Sequence, residues 1–247
     1  MKLNQDSIVE CQGNNLVCSL DQQTVQMVNE VFSKFFIGNE VAHDQLKCWQ
    51  MLNTKRFESV VVDFSGFTLP SQVLLELRHS ASNSRSVAFA IVADDRQAKT
   101  AISSGANIVV SRPLTCERLE HIVRAAYGLI FRERRRYFRC PIEETISIQI
   151  QQGEVHEGRV INVSEGGAAA KADVAFCVGD RVLLSFRLPR LSVVISAEAE
   201  LCWINNRMLM GFKFEAIDEA AHAALRTWLS EELEKQMPEA LLHKLSG

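Results

Sequence analysis

The chain has 247 residues, of which 47% are hydrophobic and 23% are charged, and its formal net charge at pH 7 is -3. These values are typical of a folded globular protein of one large or two ordinary domains, and they exclude a general attraction to polyanions. The N-terminal segment is polar where a signal peptide needs an apolar run, and no apolar run approaches the roughly 20 residues of a membrane span. Seven cysteines without metal-ligand spacing favour a cytoplasmic protein with free thiols and no bound metal.

The first half of the chain alternates short apolar runs with helical patterns. Pro70 suits the first turn of a helix, Gly105 closes another, and the segment GNEVAH (38–43) is too polar to assign. Strand followed by helix, repeated along the chain, predicts a parallel sheet with helices on both faces. The predicted strands are NLVCSL (15–20), SVVVDF (59–64), VAFAIVA (87–93) and NIVVS (107–111).

Beyond Pro141 the pattern becomes one of alternating apolar and polar residues. TISIQIQ (145–151) begins a series of five such segments with short connections and no helix between them, which predicts a closed antiparallel barrel. An amphipathic helix follows over 218–236, and we expect Trp203 to pack within the barrel and Trp228 under this helix. The predicted domains are 1–131 and 132–247. The other four strands of the series are GRVINVS (158–164), DRVLLSFRL (180–188), VVISAEAELCWI (193–204) and MLMGFKFE (208–215).

Arginines are concentrated at the predicted domain boundary, with five in the eight residues from Arg132 to Arg139. A guanidinium group pairs with phosphate through two hydrogen bonds, matches the O6/N7 edge of guanine and stacks on a base. Farther along, Asn162 and Ser164 share one face of a strand, and the glycines that follow allow a ligand to approach the backbone. The arginines alone are equally consistent with a solvated helix end or a basic patch for acidic lipid or nucleic acid.

Taken together, the two segments resemble the paired motifs of the PilZ domain, RxxxR followed by [D/N]xSxxG. The resemblance extends over roughly residues 132–236 and includes the segments AEAELCWI and GFKFE. It implies a six-stranded antiparallel barrel that binds the bacterial second messenger cyclic di-GMP, with Asn in place of the commoner Asp. The residues implied in ligand binding are Arg134, Arg135, Arg139, Asn162, Ser164 and Gly167.

Residues 14–130 resemble the receiver domain of response regulators, a (βα)5 fold, and Asp63 matches its phospho-acceptor. That chemistry needs a magnesium ion and an acidic pair after the first strand, but this pair is replaced by Ser19 and Leu20. The usual Lys-Pro is Arg112-Pro113. We therefore expect Asp63 to be a vestigial phospho-acceptor in a domain that serves dimerisation or docking. The alternative is that Asp21 takes over one metal-ligand role.

These observations predict a non-enzymatic signalling effector that requires no cofactor. Capture of cyclic di-GMP by Arg134–Arg139 would redirect the preceding helix, rearrange the two domains and so act on an unidentified protein partner or a second copy of the chain. The main alternative is an interaction scaffold that does not bind nucleotide. A DNA-binding regulator is disfavoured, because the chain has no helix-turn-helix pattern and is net acidic.

Overall fold

A computed structural model describes residues 13–150, 153–174, 176–191, 193–238 and 241. The chain divides into two compact units, one formed by residues up to Arg134 together with those from Met237 onward, the other by Arg135–Gln236. The division falls close to the predicted boundary after residue 131. No helix among the described residues is long and apolar enough to cross a membrane.

The first unit contains the predicted parallel sheet. Its five strands pair only in parallel and follow the order β2-β1-β3-β4-β5, which is the order of flavodoxin and CheY. The receiver-like fold is therefore confirmed. The elements are β1 (Gly13–Cys18), α1 (Gln22–Ser33), β2 (Ile37–Ala42), α2 (Gln45–Thr54), β3 (Ser59–Asp63), α3 (Pro70–His79), β4 (Val87–Val92), α4 (Asp95–Ser103), β5 (Ile108–Ser111) and α5 (Cys116–Tyr137).

Local sequence accounts for most of these elements. Every residue of β3 and β4 is buried, as expected for central strands of a parallel sheet covered on both faces. Asp21, Asp44 and Asp94 cap α1, α2 and α4 by accepting hydrogen bonds from backbone N–H groups of the first turn. The segment that was too polar to assign forms β2, an edge strand whose middle residues are half-buried.

The second unit is the predicted antiparallel barrel, closed in the order β10-β11-β8-β7-β6-β9. Five of its six strands were expected from alternation, although the last residue of the first, Gln151, lies outside the described residues. The sixth, β8, has the sequence GAAAK, and its small side chains give no alternating pattern. The elements are β6 (Cys140–Ile150), β7 (Val155–Ser164), β8 (Gly167–Lys171), β9 (Arg181–Arg187), β10 (Val194–Ile204), β11 (Leu209–Ile217) and α6 (Glu219–Lys235).

Each unit has its own apolar core. In the barrel, α6 contributes Leu225, Trp228 and Leu229 to the core, so Trp228 packs as predicted. Met237 and Leu241 follow α6 in the sequence, and they belong to the core of the first unit together with residues of α1 and α5. The predicted barrel domain, 132–247, therefore differs from the compact unit at its C-terminal end, because these two apolar side chains are buried in the first unit.

Candidate functional site

A cavity of about 530 Å³ lies on the barrel, where the chain leaving α5 meets β7, β8, β10 and β11. The cavity is lined by four of the residues implied in ligand binding: Arg139, Asn162, Ser164 and Gly167. Arg136 and Tyr137, from the same arginine-rich segment, complete this side of the cavity.

The two remaining arginines lie elsewhere. Arg134 belongs to the first unit, and neither Arg134 nor Arg135 lines the cavity. Arg135 donates from Nη1 to Ser230 Oγ at 3.0 Å, and its Nε lies 3.8 Å from Glu165 Oε2. The cause is local, because α5 ends at Tyr137, between Arg135 and Arg139. The two arginines of the RxxxR motif therefore do not share a helix face.

The NVSEGG segment forms a tight hairpin at the cavity. Ser164 ends β7 and pairs with Gly167, the first residue of β8, across a two-residue turn. The Ser164 hydroxyl donates to the Gly167 carbonyl at 3.1 Å, which fixes the side chain beside the turn. A Cβ at Gly167 would overlap the backbone carbonyl of Phe212, so the close approach of β11 requires glycine at this position.

Trp203 is the cavity residue that sequence reasoning placed wrongly. Its side chain is 45% exposed and lines the cavity instead of packing within the barrel. Strict alternation would turn Trp203 inward with Leu201, but a register shift between these residues moves it to the outer face. The indole lies against Gly211 of β11, where a Cβ would overlap the ring.

The cavity combines positive charge with aromatic surface. Arg136, Arg139 and Lys213 line it, and no carboxylate is among the described lining residues. The Nζ of Lys213 lies 2.7 Å from Glu215 Oε1, and this hydrogen bond raises the pKa of Lys213, so the ammonium remains charged. Guanidinium groups beside an exposed indole suit an anionic ligand with a flat ring.

In the first unit, Asp63 is fully buried and already has its charge partner. Its carboxylate accepts from Ser19 Oγ at 2.9 Å, from the Ser65 backbone N–H at 3.0 Å and from Arg112 Nη2 at 2.9 Å. Arginine at the position of the usual lysine therefore does reach this carboxylate. Arg112 thus supplies a positive charge directly beside the Asp63 carboxylate.

Asp21 faces the same guanidinium. Its Oδ2 lies 3.6 Å from Arg112 Nη2, and it also caps α1 and accepts from the hydroxyl of Thr24. The Thr24 hydrogen bond is the main cause that lowers the pKa of Asp21. Within the described part of the chain, no group of three or more His, Cys, Asp or Glu side chains could hold a metal ion.

Comparison with known families identifies the second unit. The family model of the PilZ domain matches residues 133–231. These residues form a PilZ domain. The family is one of cyclic di-GMP receptors, and the six-stranded barrel implied by the resemblance is the one that the PilZ domain of this chain adopts.

Solved structures resemble each part of the chain at low sequence identity. The receiver domain of a sensor histidine kinase from Pseudomonas aeruginosa is 13% identical over 47% of this chain and 98% of that one, with a TM-score of 0.43. A CheY-like receiver protein from Methanospirillum hungatei is 10% identical over 49% and 98%, with a TM-score of 0.44. An inhibitor of motility from Bacillus subtilis is 21% identical over 42% and 53%, with a TM-score of 0.38. No curated protein matches the chain significantly.

Proposed function

We propose that this chain is a signalling effector whose PilZ domain binds cyclic di-GMP in the cavity on the barrel. The observation that supports this most strongly is the convergence of Arg139, Asn162, Ser164 and Gly167 in one cavity. These residues come from two segments separated by 22 residues in the sequence, and each carries part of the paired PilZ motif. The ligand is an anion with guanine rings, which suits a cavity with arginines and an exposed indole.

Each lining group has a part in this proposal. The guanidinium of Arg139 pairs with a phosphate or with the O6/N7 edge of a guanine. Asn162 meets a base edge with its amide oxygen and NH₂, and Ser164 donates its hydroxyl. Gly167 keeps the turn close to the ligand, and Trp203 offers a face for base stacking.

Calorimetric titration of the full chain with cyclic di-GMP tests the proposal. We expect saturable binding that Arg139→Ala weakens about 10- to 100-fold, because a hydrogen bond to a charged group contributes about 1.5–3 kcal/mol. Ser164→Ala should weaken it less. Arg187→Ala is the matched control, since Arg187 is exposed on β9 and outside the cavity lining. Absence of heat from the wild type at high micromolar ligand would contradict the proposal.

The effector has no enzymatic step of its own in this proposal, and its output is binding to a protein partner. Ligand capture reorders the segment from Arg135 to Arg139, whose first three residues form the end of α5, and so rearranges the two units. The internal pairing of Asp63 with Arg112 favours a receiver-like unit that acts as a docking platform without phosphorylation. Incubation with acetyl phosphate and Mg²⁺ tests this point, and incorporation of phosphate at Asp63 would contradict it.

An interaction scaffold without nucleotide binding is the second candidate. It is favoured by one observation, the position of Arg134 and Arg135 outside the cavity lining. In that case Arg139→Ala disturbs binding to a protein partner, whereas cyclic di-GMP gives no signal with any variant.

A further inference from the structure

Arg135 is an arginine of the ligand motif whose side chain is engaged away from the ligand cavity. Its Nη1 donates to Ser230 Oγ on α6 at 3.0 Å, and its side chain is only 24% exposed. Its neighbour Arg136 and the second motif arginine, Arg139, both line the cavity. The motif is therefore divided, with one arginine in the cavity and the other held at α6.

The second contact of Arg135 is incomplete. Its Nε lies 3.8 Å from Glu165 Oε2, which is too long for a hydrogen bond. Both atoms are buried, and neither has a hydrogen-bond partner among the described residues. A buried donor and a buried acceptor without partners each carry a desolvation cost. An acceptor that satisfied Arg135 fully would therefore compete well with its present contacts.

These contacts connect three functionally distinct places within the barrel unit. Arg135 is the first residue of the unit, and Ser230 lies on the helix that ends just before the unit does, at Gln236. Glu165 stands in the turn between Ser164 and Gly167, both of which line the cavity. One guanidinium thus links the ligand turn to the two segments through which the unit joins the rest of the chain.

We propose that Glu165 and Ser230 are positioning residues that hold Arg135 away from the ligand, and that a bound phosphodiester displaces them. The proposal rests on the cyclic di-GMP binding proposed above. A phosphodiester offers two anionic acceptor oxygens in the geometry that a guanidinium pairs with bidentately, whereas the present arrangement supplies one hydroxyl and one distant carboxylate. When Arg135 moves to the ligand, α6 loses its hydrogen bond to the start of the unit.

This arrangement predicts which substitutions should strengthen ligand binding. Removing a group that competes with the ligand for Arg135 strengthens ligand binding, because the arginine no longer has to be detached from it. Glu165→Gln and Ser230→Ala should each tighten cyclic di-GMP binding about 3- to 10-fold in the full chain. Glu231→Gln is the matched control, since it removes the same charge from an exposed position next to Ser230 and should leave the affinity unchanged.

A double-mutant cycle separates this mechanism from a general effect on charge or folding. In an Arg135→Ala background, Glu165→Gln and Ser230→Ala should no longer change the affinity. Hydrogen exchange gives a second measurement. The ligand should speed exchange in the last turns of α6 in the wild type, while Ser230→Ala shows that faster exchange without ligand.

The outcomes distinguish the two proposals. Wild-type binding that Glu165→Gln and Ser230→Ala leave unchanged or weaken overturns the positioning role and leaves the ligand site intact. Tightening that persists in the Arg135→Ala background overturns it as well. No binding by the wild type or by any of these variants overturns the proposed ligand, and with it this inference.

Discussion

Gly211 makes room for an aromatic ring that would otherwise be displaced from the cavity. The Trp203 indole lies against its backbone, at a position that any Cβ would overlap. We expect Gly211→Ala to move the indole and to weaken cyclic di-GMP binding about tenfold, since stacking of a base on an aromatic ring contributes about 1–3 kcal/mol. Calorimetry measures the loss, and tryptophan fluorescence reports the displaced ring.

A matched glycine variant checks that this loss is local. Gly128 on α5 has open space around its Cβ position, so Gly128→Ala should leave ligand affinity unchanged and stabilise the helix by roughly 0.5–1 kcal/mol. Equal affinities for Gly211→Ala and the wild type would exclude a role for the position of Trp203 in binding.

At Asp63, the partner Arg112 should matter for stability. Removing one member of a buried ion pair leaves an uncompensated charge, and we expect Arg112→Ala to lower the free energy of unfolding of the first unit by about 3 kcal/mol. Arg112 is 26% exposed, which keeps this value at the low end of the usual range. Urea unfolding measures it. The double variant Asp63→Asn/Arg112→Met removes both charges and should recover most of the loss, and failure to recover would point to another cause.

The sequence motif predicted which residues belong to the candidate site. It could not predict where each of their side chains points. Asn162, Ser164 and Gly167, which the motif groups together, line one cavity because a short hairpin places them side by side. Trp203 and Arg135 depend on a strand irregularity and on the end of a helix, and neither leaves a pattern in the sequence. A register shift of one residue is enough to exchange the inner and outer faces of a strand.

Among the helices and strands, those that bury a regular set of apolar side chains could be predicted from the sequence. Strands with a strongly apolar or alternating composition, such as β3, β4 and β9, were predicted close to their observed bounds. β8 consists largely of alanine and was recognised only by its pairing with β7 and β11. α2 buries three side chains and contains several polar residues, so its helical period is weak.

The segment after α6 offers a prediction at this scale. Leu241 is fully buried in the core of the first unit, although 102 residues of the barrel unit, Arg135–Gln236, precede this segment. We expect Leu241→Ala to destabilise the first unit by about 2–5 kcal/mol, as for other leucines removed from a core. Leu129→Ala is the control, because Leu129 is 50% exposed and its loss should change stability by less than about 0.5 kcal/mol. A similar small effect for both variants would contradict the packing of this segment.

For the whole molecule, two compact units with separate cores predict a selective response to ligand. On the proposed function, cyclic di-GMP at 100 times its Kd should stabilise the barrel unit by about 2.7 kcal/mol, because a ligand that binds only the folded state shifts the unfolding equilibrium by that amount. Denaturant unfolding followed by hydrogen exchange resolves the amides of β3 and β4 from those of β7 and β8. Protection should rise in β7 and β8, and an equal rise in β3 and β4 would contradict separate responses.

The first unit is formed by two separate stretches of the chain, so its core can be completed only late in synthesis. Residues 135–236 are synthesised before Met237 and Leu241, so the barrel has its whole sequence available while the older part of the chain still lacks two core side chains. A nascent chain interrupted within α6 leaves the core around Phe35 and Tyr127 incomplete. Exposed apolar surface of this kind favours aggregation and recognition by chaperones, so the first unit reaches its full core only after synthesis has passed α6.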